Sequence, residues 1–417
     1  MARVARWFAL LALTVSVAAQ DDLRDRIVRI DGGELRGRSA EPFAADELLL
    51  MQGGKRVRVP RAAVASIDSV ALRVRAFLDK RIALQDSAKG QDYLIDEAVK
   101  LELPGLARLQ ALWVVLHDDD CEKAHTFLGH EKHKRGWLWP HEGKRLLRQA
   151  LEDGLHDKPM QLVGERFTLR CDADLRAGVA ALFDLERLAV AFRDRFGEEL
   201  GLREVLQPIA VVVWRRPDEF PKWGFRPVPY YVPAPHGDVA RTFYAGPNPT
   251  RPERLFFVGT HALLYHTLIG EVARQDERDR VCGWLEIGLS MLMEHTMRGP
   301  AGYAAPGDFS GKDLQALQAL GRGSKLTHLL HLPVYGSFYL TDDTDTVTNW
   351  AAATMFVAWL ADEGNPLKTR EPFLRLVRAS LAERKGDSST AFDKIMGKRV
   401  EELDEPWRAW LGKVAGY

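Results

Sequence analysis

The chain has 417 residues, enough for two or three domains. Hydrophobic residues make up 46% and charged residues 28%, which allows a packed core and excludes wholesale disorder. Lys and Arg together number 58, as do Asp and Glu, so no net charge argues for nucleic acid or an acidic surface as partner.

The opening "MARVARWFALLALTVSVAAQDD" reads as a signal peptide over residues 1–19. Arg3 and Arg6 give the positive start, Trp7 to Val17 the apolar run, and Ala18-Ala19 small residues before a cut near Gln20. The run is short for a membrane anchor, and polar "QDDLRDR" follows it. Export to the periplasm, envelope or medium is therefore expected, with no transmembrane segment in the mature chain. Cys121, Cys171 and Cys282 are far apart and odd in number. They form neither a disulfide framework nor a CxxC metal pair, and buried thiols are expected, with one disulfide left open.

Residues 20–70 read as a small β unit. "IVRI", "ELRGRSA", "ELLLM" and "VRVP" are strand-like runs, and "DGG" and "QGGKR" are turn signals. The pattern resembles small SH3-like or Sm-like modules.

Residues 71–160 read as a helical spacer. "LIDEAVKLELPGLARLQALWVVL" carries apolar residues at helical spacing, broken at Pro104-Gly105. "DDDCEKAHTFLGHEKHKRGWLWPHEGKRLLRQAL" continues it in a way that resembles a tetratricopeptide-type helical pair, although a full array needs more repeats. Of its five histidines, His130 and His133 are close enough in sequence to share a metal, but Lys132, Lys134 and Arg135 beside them disfavour a cation.

Residues 161–417 form the largest unit. "ERFTLRCDAD" reads as a strand, "LRAGVAALFDLERLAVAFRDRFG" as an amphipathic helix and "PIAVVVW" as a buried strand. "VPYYVPAPHGDVARTFYAG" is a loop or strand region, and helices follow to the C-terminus, with a break at Gly397 in the last pair. The expected class is α+β: a mostly helical C-terminal domain with a small sheet, preceded by the β unit and the spacer. Asp342, Asp343 and Asp345 hint at Ca²⁺, but a solvated loop before a helix starting near Thr348 is the stronger expectation.

Two stretches carry a family resemblance. "FVGTHALLY" (257–265) is similar to a continuation of His-Glu-x-x-His, through Gly-Thr-His and Leu-Leu. "WLEIGLS" (284–290) is similar to Trp-Leu-x-Glu-Gly-Leu-Ala. In this order, behind a strand–helix–strand opening, they resemble the secreted bacterial gluzincin or peptidase MA-like metalloproteases. The resemblance implies a zincin fold over residues 161–417 and a degenerate zinc site. Phe257 stands for the first ligand, Val258 for the general base, His261 for the second ligand and Ile287 for the third. Two histidines at i and i+4 share a helix face and can hold one Zn²⁺, whereas one imidazole cannot. A valine cannot take a proton from a zinc-bound water.

Relocated ligands are the competing arrangement, drawn from His266, Glu286 and His295. His261 and His266 are five residues apart, about 140° around a helix. Glu286 precedes the ligand position by one residue, which turns it about 100° away; a π-bulge corrects one such offset at most cheaply. The leading expectation is an exported, catalytically inactive zinc-peptidase-like protein that holds a protein or peptide, with no cofactor. An active metal-dependent peptidase with relocated ligands, binding zinc, is the alternative. A structural envelope protein is the third reading.

Overall fold

Alternating short runs near the start of the chain become a five-stranded antiparallel sheet. Its strands are β1 (Asp25–Arg29), β2 (Glu34–Ser39), β3 (Glu47–Gln52), β4 (Lys55–Pro60) and β5 (Val64–Asp68), in the order β4-β3-β2-β1-β5. The computed structural model describes residues 25–39, 46–52, 55–84, 90–139, 145–146, 160–205, 207–220, 228–232, 238–245, 251–269, 283–297, 326–332, 343–382 and 388–415. The signal-peptide residues, Asp342 and Cys282 lie outside these.

Ile27, Leu48, Leu50 and Val59 fill the small core of this sheet. Buried Asp25 ties the sheet to the first helix. Its carboxylate accepts from the Ser39 N–H at 2.9 Å, the Ser39 hydroxyl at 2.8 Å and the Val70 N–H at 2.8 Å. Val70 opens α1 (Val70–Ala83), and the Ser69 side chain caps that helix by accepting from Leu72 N.

The helices α2 (Tyr93–Lys100), α3 (Pro104–His117) and α4 (Glu122–Leu128) come next. Pro104 sits at the first turn of α3, where its missing N–H costs nothing, and Gly129 ends α4 in the left-handed region at φ 73°. The helical reading fails beyond that glycine. Residues 131–133 (β6) and 136–139 (β7) form a hairpin, joined by β8 (Arg145–Leu146) into a three-stranded sheet. Gly136 at φ 123° is the turn residue that permits it, so "HKRG" is a hairpin turn rather than a helix–helix junction.

The C-terminal unit opens with the expected strand–helix–strand order. Strands β9 (Met160–Val163), β10 (Phe167–Cys171), β11 (Ile209–Trp214), β12 (Tyr230–Val232) and β13 (Val239–Phe243) make a sheet in the order β12-β13-β11-β10-β9. Strands β10, β11 and β13 are parallel, and β9 and β12 are antiparallel edges. The long helix α5 (Leu175–Leu200) connects β10 to β11, as a parallel pair requires. The "YYV" and "VARTF" runs are β12 and β13.

Helices then dominate: α6 (Leu255–Leu264), α7 (Gly283–Thr296), α8 (Leu326–Leu330), α9 (Asp343–Leu360), α10 (Arg370–Val377), α11 (Ser388–Met396) and α12 (Val400–Ala415). Helix α9 begins at Asp343, five residues before the expected start, so Asp343 and Asp345 belong to its first turn and not to a loop. Trp284, Phe356, Phe392 and Trp407 cluster with ring centroids 5.4–6.2 Å apart and lock α7, α9, α11 and α12 together. One core runs from Val70 to Leu411, so α1 and α3 pack directly on the C-terminal unit. Buried Glu165 reinforces this by accepting from Gly105 N at 2.8 Å and Leu106 N at 3.3 Å at the start of α3. No described helix is long and apolar enough to cross a membrane. The chain is α+β, as expected from its pattern.

Candidate functional site

Two glycines decide which side chains face each other between α6 and α7. A Cβ on Gly259 would lie 2.6 Å from Leu188 and 2.9 Å from Leu185, both on α5. Gly259 therefore marks the face of α6 pressed against α5. His261, two residues on and about 200° around the helix, points the other way. On α7, a Cβ on Gly288 would lie 2.7 Å from the Ala353 carbonyl oxygen and 2.5 Å from Val357 of α9. Glu286 precedes Gly288 by two residues and so points away from α9, toward α6.

The two side chains meet. His261 Nε2 lies 3.2 Å from Glu286 Oε2, and the residues are only 2% and 1% exposed. The carboxylate sets the ring orientation, with Nε2–H as donor, and His261 Nδ1 has no hydrogen-bond partner among the described residues. The Tyr265 hydroxyl donates to the same Glu286 oxygen at 3.3 Å. The expectation that Glu286 is turned away from His261 is thus corrected. The residue turned toward α9 is Gly288, and Glu286 faces α6.

Phe257 and Val258 are fully buried, as is Ile287. The Phe257 ring lies 5.0 Å from the Trp350 ring of α9 and 6.0 Å from His261, centroid to centroid. Its backbone N–H, one of the orphan donors at the start of α6, donates to Glu294 Oε2 of α7 at 3.0 Å. Glu294 is therefore a helix cap supplied from a neighbouring helix. The Arg254 guanidinium covers the Trp350 face at 4.6 Å. Every described residue of α7 is buried. The Phe257, Val258 and Ile287 positions are hydrophobic core.

A second polar group lies beside the first. Helix α6 runs directly into a π-turn over Tyr265–Ile269, and His266 sits in it. His266 Nε2 lies 3.1 Å from Asp238 Oδ1, and the Tyr231 hydroxyl donates to the same oxygen at 2.5 Å. Tyr231, on edge strand β12, spans both groups. Its ring centroid is 5.8 Å from His261, 5.2 Å from Tyr265 and 6.4 Å from His266. His295 is buried nine residues along α7 from Glu286, about half a turn round and about 13 Å along the axis, far from His261.

Of the sequence-predicted positions, the structure brings together His261 and Glu286 and gives His266 a different acidic partner. Tyr265, Tyr231 and Asp238 complete the polar cluster and were not foreseen. The signal for the pairing was present in "GTH" and "EIG", where a tightly packed glycine two residues from a polar side chain marks opposite helix faces. Among the described residues, no three His, Cys, Asp or Glu side chains converge as metal ligands.

The histidines of the helical segment also pair differently from the sequence expectation. His125 and His130 are buried with their Nδ1 atoms 2.7 Å apart, and His125 Nε2 donates to the Asp119 carbonyl oxygen at 2.9 Å. Trp137 of the hairpin stacks on His125 at 4.2 Å. Burial, with the neighbouring His125 and Arg108, pushes the His130 ring down to about 4. His133 is exposed on β6, apart from this pair. Cys121 and Cys171 are free thiols, and burial pushes the Cys171 thiol up to about 12. No family model matches the chain, and no curated protein matches it in sequence.

Proposed function

We propose that residues 161–417 are a degenerate zincin-like scaffold of the gluzincin type, and that the exported chain works by holding a protein or peptide rather than by cutting it. The observation that carries this reading is the filling of the site. Phe257, Val258 and Ile287 are fully buried apolar residues, and Phe257 packs on Trp350. The remaining imidazole, His261, is engaged by Glu286. Nothing at the position of the general base can accept a proton, so water activation there has no agent. Binding is the role left to such a scaffold.

A metal-dependent peptidase with relocated ligands is the second reading. The same contact favours it, since His261 and Glu286 are both metal-ligating types placed side by side. Incubating the full chain with a broad peptide library separates the two. Retention of uncut peptides is the expected outcome; cleavage abolished by a chelator and restored by zinc would establish the peptidase.

A further inference from the structure

Two histidines of the helical segment make a contact that holds one proton and no more. His125 of α4 and His130, the residue after the Gly129 cap, are 0% and 7% exposed, and their Nδ1 atoms lie 2.7 Å apart. His125 gives its Nε2–H to the Asp119 carbonyl oxygen, which can only accept. In the neutral ring its Nδ1 is therefore a bare acceptor, and His130 Nδ1–H is the donor facing it. Two N–H groups cannot face each other at that distance. A charge on both rings and the contact between them exclude each other.

The pair also holds down the hairpin of β6 and β7. His130 leads directly into β6, and its N–H donates to the His125 carbonyl oxygen at 2.9 Å. Trp137 of β7 lies flat on the His125 ring, 4.2 Å away with 7° between the planes. Lys132 Nζ sits 5.5 Å from the Trp137 centroid, so a charged His125 would be the second cation against one indole. Other charges around the pair pull both ways. Asp118, Asp119 and Asp120, in the loop before α4, draw a proton toward His125, while Arg108 of α3 repels one from His130. His117 at the end of α3 is turned back to the Trp113 carbonyl oxygen, and Lys123 of α4 pairs with Asp92 and Asp96. Glu122, Glu131, His133, Lys134 and Arg135, on α4 and the hairpin, are exposed. Burial outweighs the three aspartates, and both rings resist a proton where they stand.

We propose that this pair is an acid-sensitive latch: when both rings take up protons, His125 and His130 part, and the hairpin lifts off α4 and uncovers the flat faces of Trp137 and His125. Free imidazoles gain protons below about pH 6.5, so acid favours the open form and neutrality the closed one. Linkage sets the steepness. Opening that takes up two protons rises by up to about a hundredfold per pH unit, and by about tenfold where one proton is involved. The latch works whether or not the chain holds a protein or peptide.

The test is hydrogen–deuterium exchange of the full chain, read by mass spectrometry from about pH 7.5 to about pH 5 and corrected for the intrinsic effect of pH on exchange. Residues 131–139 are expected to lose protection by about tenfold or more over that range, while α7, buried in the core, keeps its own. His130→Asn keeps an N–H donor toward His125 Nδ1 but takes up no proton. The hairpin of that variant is expected to respond to acid at most about half as steeply on a logarithmic scale. Should the variant fail to fold, the unaltered chain decides through the comparison of the hairpin with α7. Protection of residues 131–139 that survives acid, that is lost together with that of α7, or that falls equally in His130→Asn overturns the latch.

Discussion

His261 on α6 and Glu286 on α7 form a buried pair, with Nε2 3.2 Å from Oε2 and the Tyr265 hydroxyl on the same oxygen. The pair is a buried polar contact between α6 and α7, beside the Glu294 carboxylate that caps the start of α6. Glu286→Ala leaves the His261 Nε2 donor buried and unpaired. It is expected to destabilise the fold by about 1–3 kcal/mol. The double change His261→Leu with Glu286→Leu removes both partners and is expected to cost less than the two single losses added together. Urea denaturation of Glu286→Ala, and of the cycle formed by His261→Leu, Glu286→Leu and their double, checks both expectations.

A more demanding prediction follows from the proposed zincin-like reading and concerns Phe257 and Val258. Phe257→His with Val258→Glu would place an imidazole one helical turn before His261, with Glu286 already beside it. The variant without metal is expected to lose about 3 kcal/mol or more, because a large aromatic leaves the core and a carboxyl enters it. Zinc is expected to restore much of that loss, as a rise in melting temperature that a chelator reverses. A variant that folds and ignores zinc would separate this core from any zincin ancestry.

The two glycines differ in what stands behind them. Gly288→Ala pushes a methyl group toward the Ala353 backbone carbonyl, which cannot swing aside. It is expected to cost about 1–3 kcal/mol. Gly259→Ala meets only the side-chain ends of Leu185 and Leu188, which can change rotamer, and should cost less. Chemical denaturation of the two variants under one condition gives the ordering.

Much of this architecture was legible. The alternation in "IVRI" to "VRVP", the strand–helix–strand opening and the break at Gly397 each rest on local periodicity or a backbone requirement. The hairpin at 131–139 was misread because basic and aromatic residues around a glycine suit a helix–helix turn equally well. The His261–Glu286 contact was misread for a different reason. A motif alignment assigned the facing position to Ile287, while the close approach of α7 to α9 at Gly288 sets the rotation of the helix. His125 and His130 could not be paired from sequence, because Trp137, which closes over them, arrives from a strand the pattern did not show.

Two buried groups give stability opposite slopes with pH. The Glu186 carboxyl, raised from 4.5 to about 7, keeps a proton in the folded state that the unfolded chain has lost. Stability from this group is full at low pH and falls as pH rises from about 4.5 through 7. The His130 ring, lowered from 6.5 to about 4, resists a proton that the unfolded chain accepts. Its contribution is full above 6.5 and is lost as pH falls toward 4. Glu186→Gln should flatten the first slope and His130→Asn the second. Unfolding free energies measured from pH 4 to 8 read both.

The central claim is that the core around His261 holds no metal. It is tested most directly by purifying the full chain free of metal, reloading it with zinc, removing the excess and measuring bound zinc per chain. The account predicts substoichiometric zinc, unchanged by His261→Ala. One zinc per chain, abolished by His261→Ala in a protein that still folds, would contradict it.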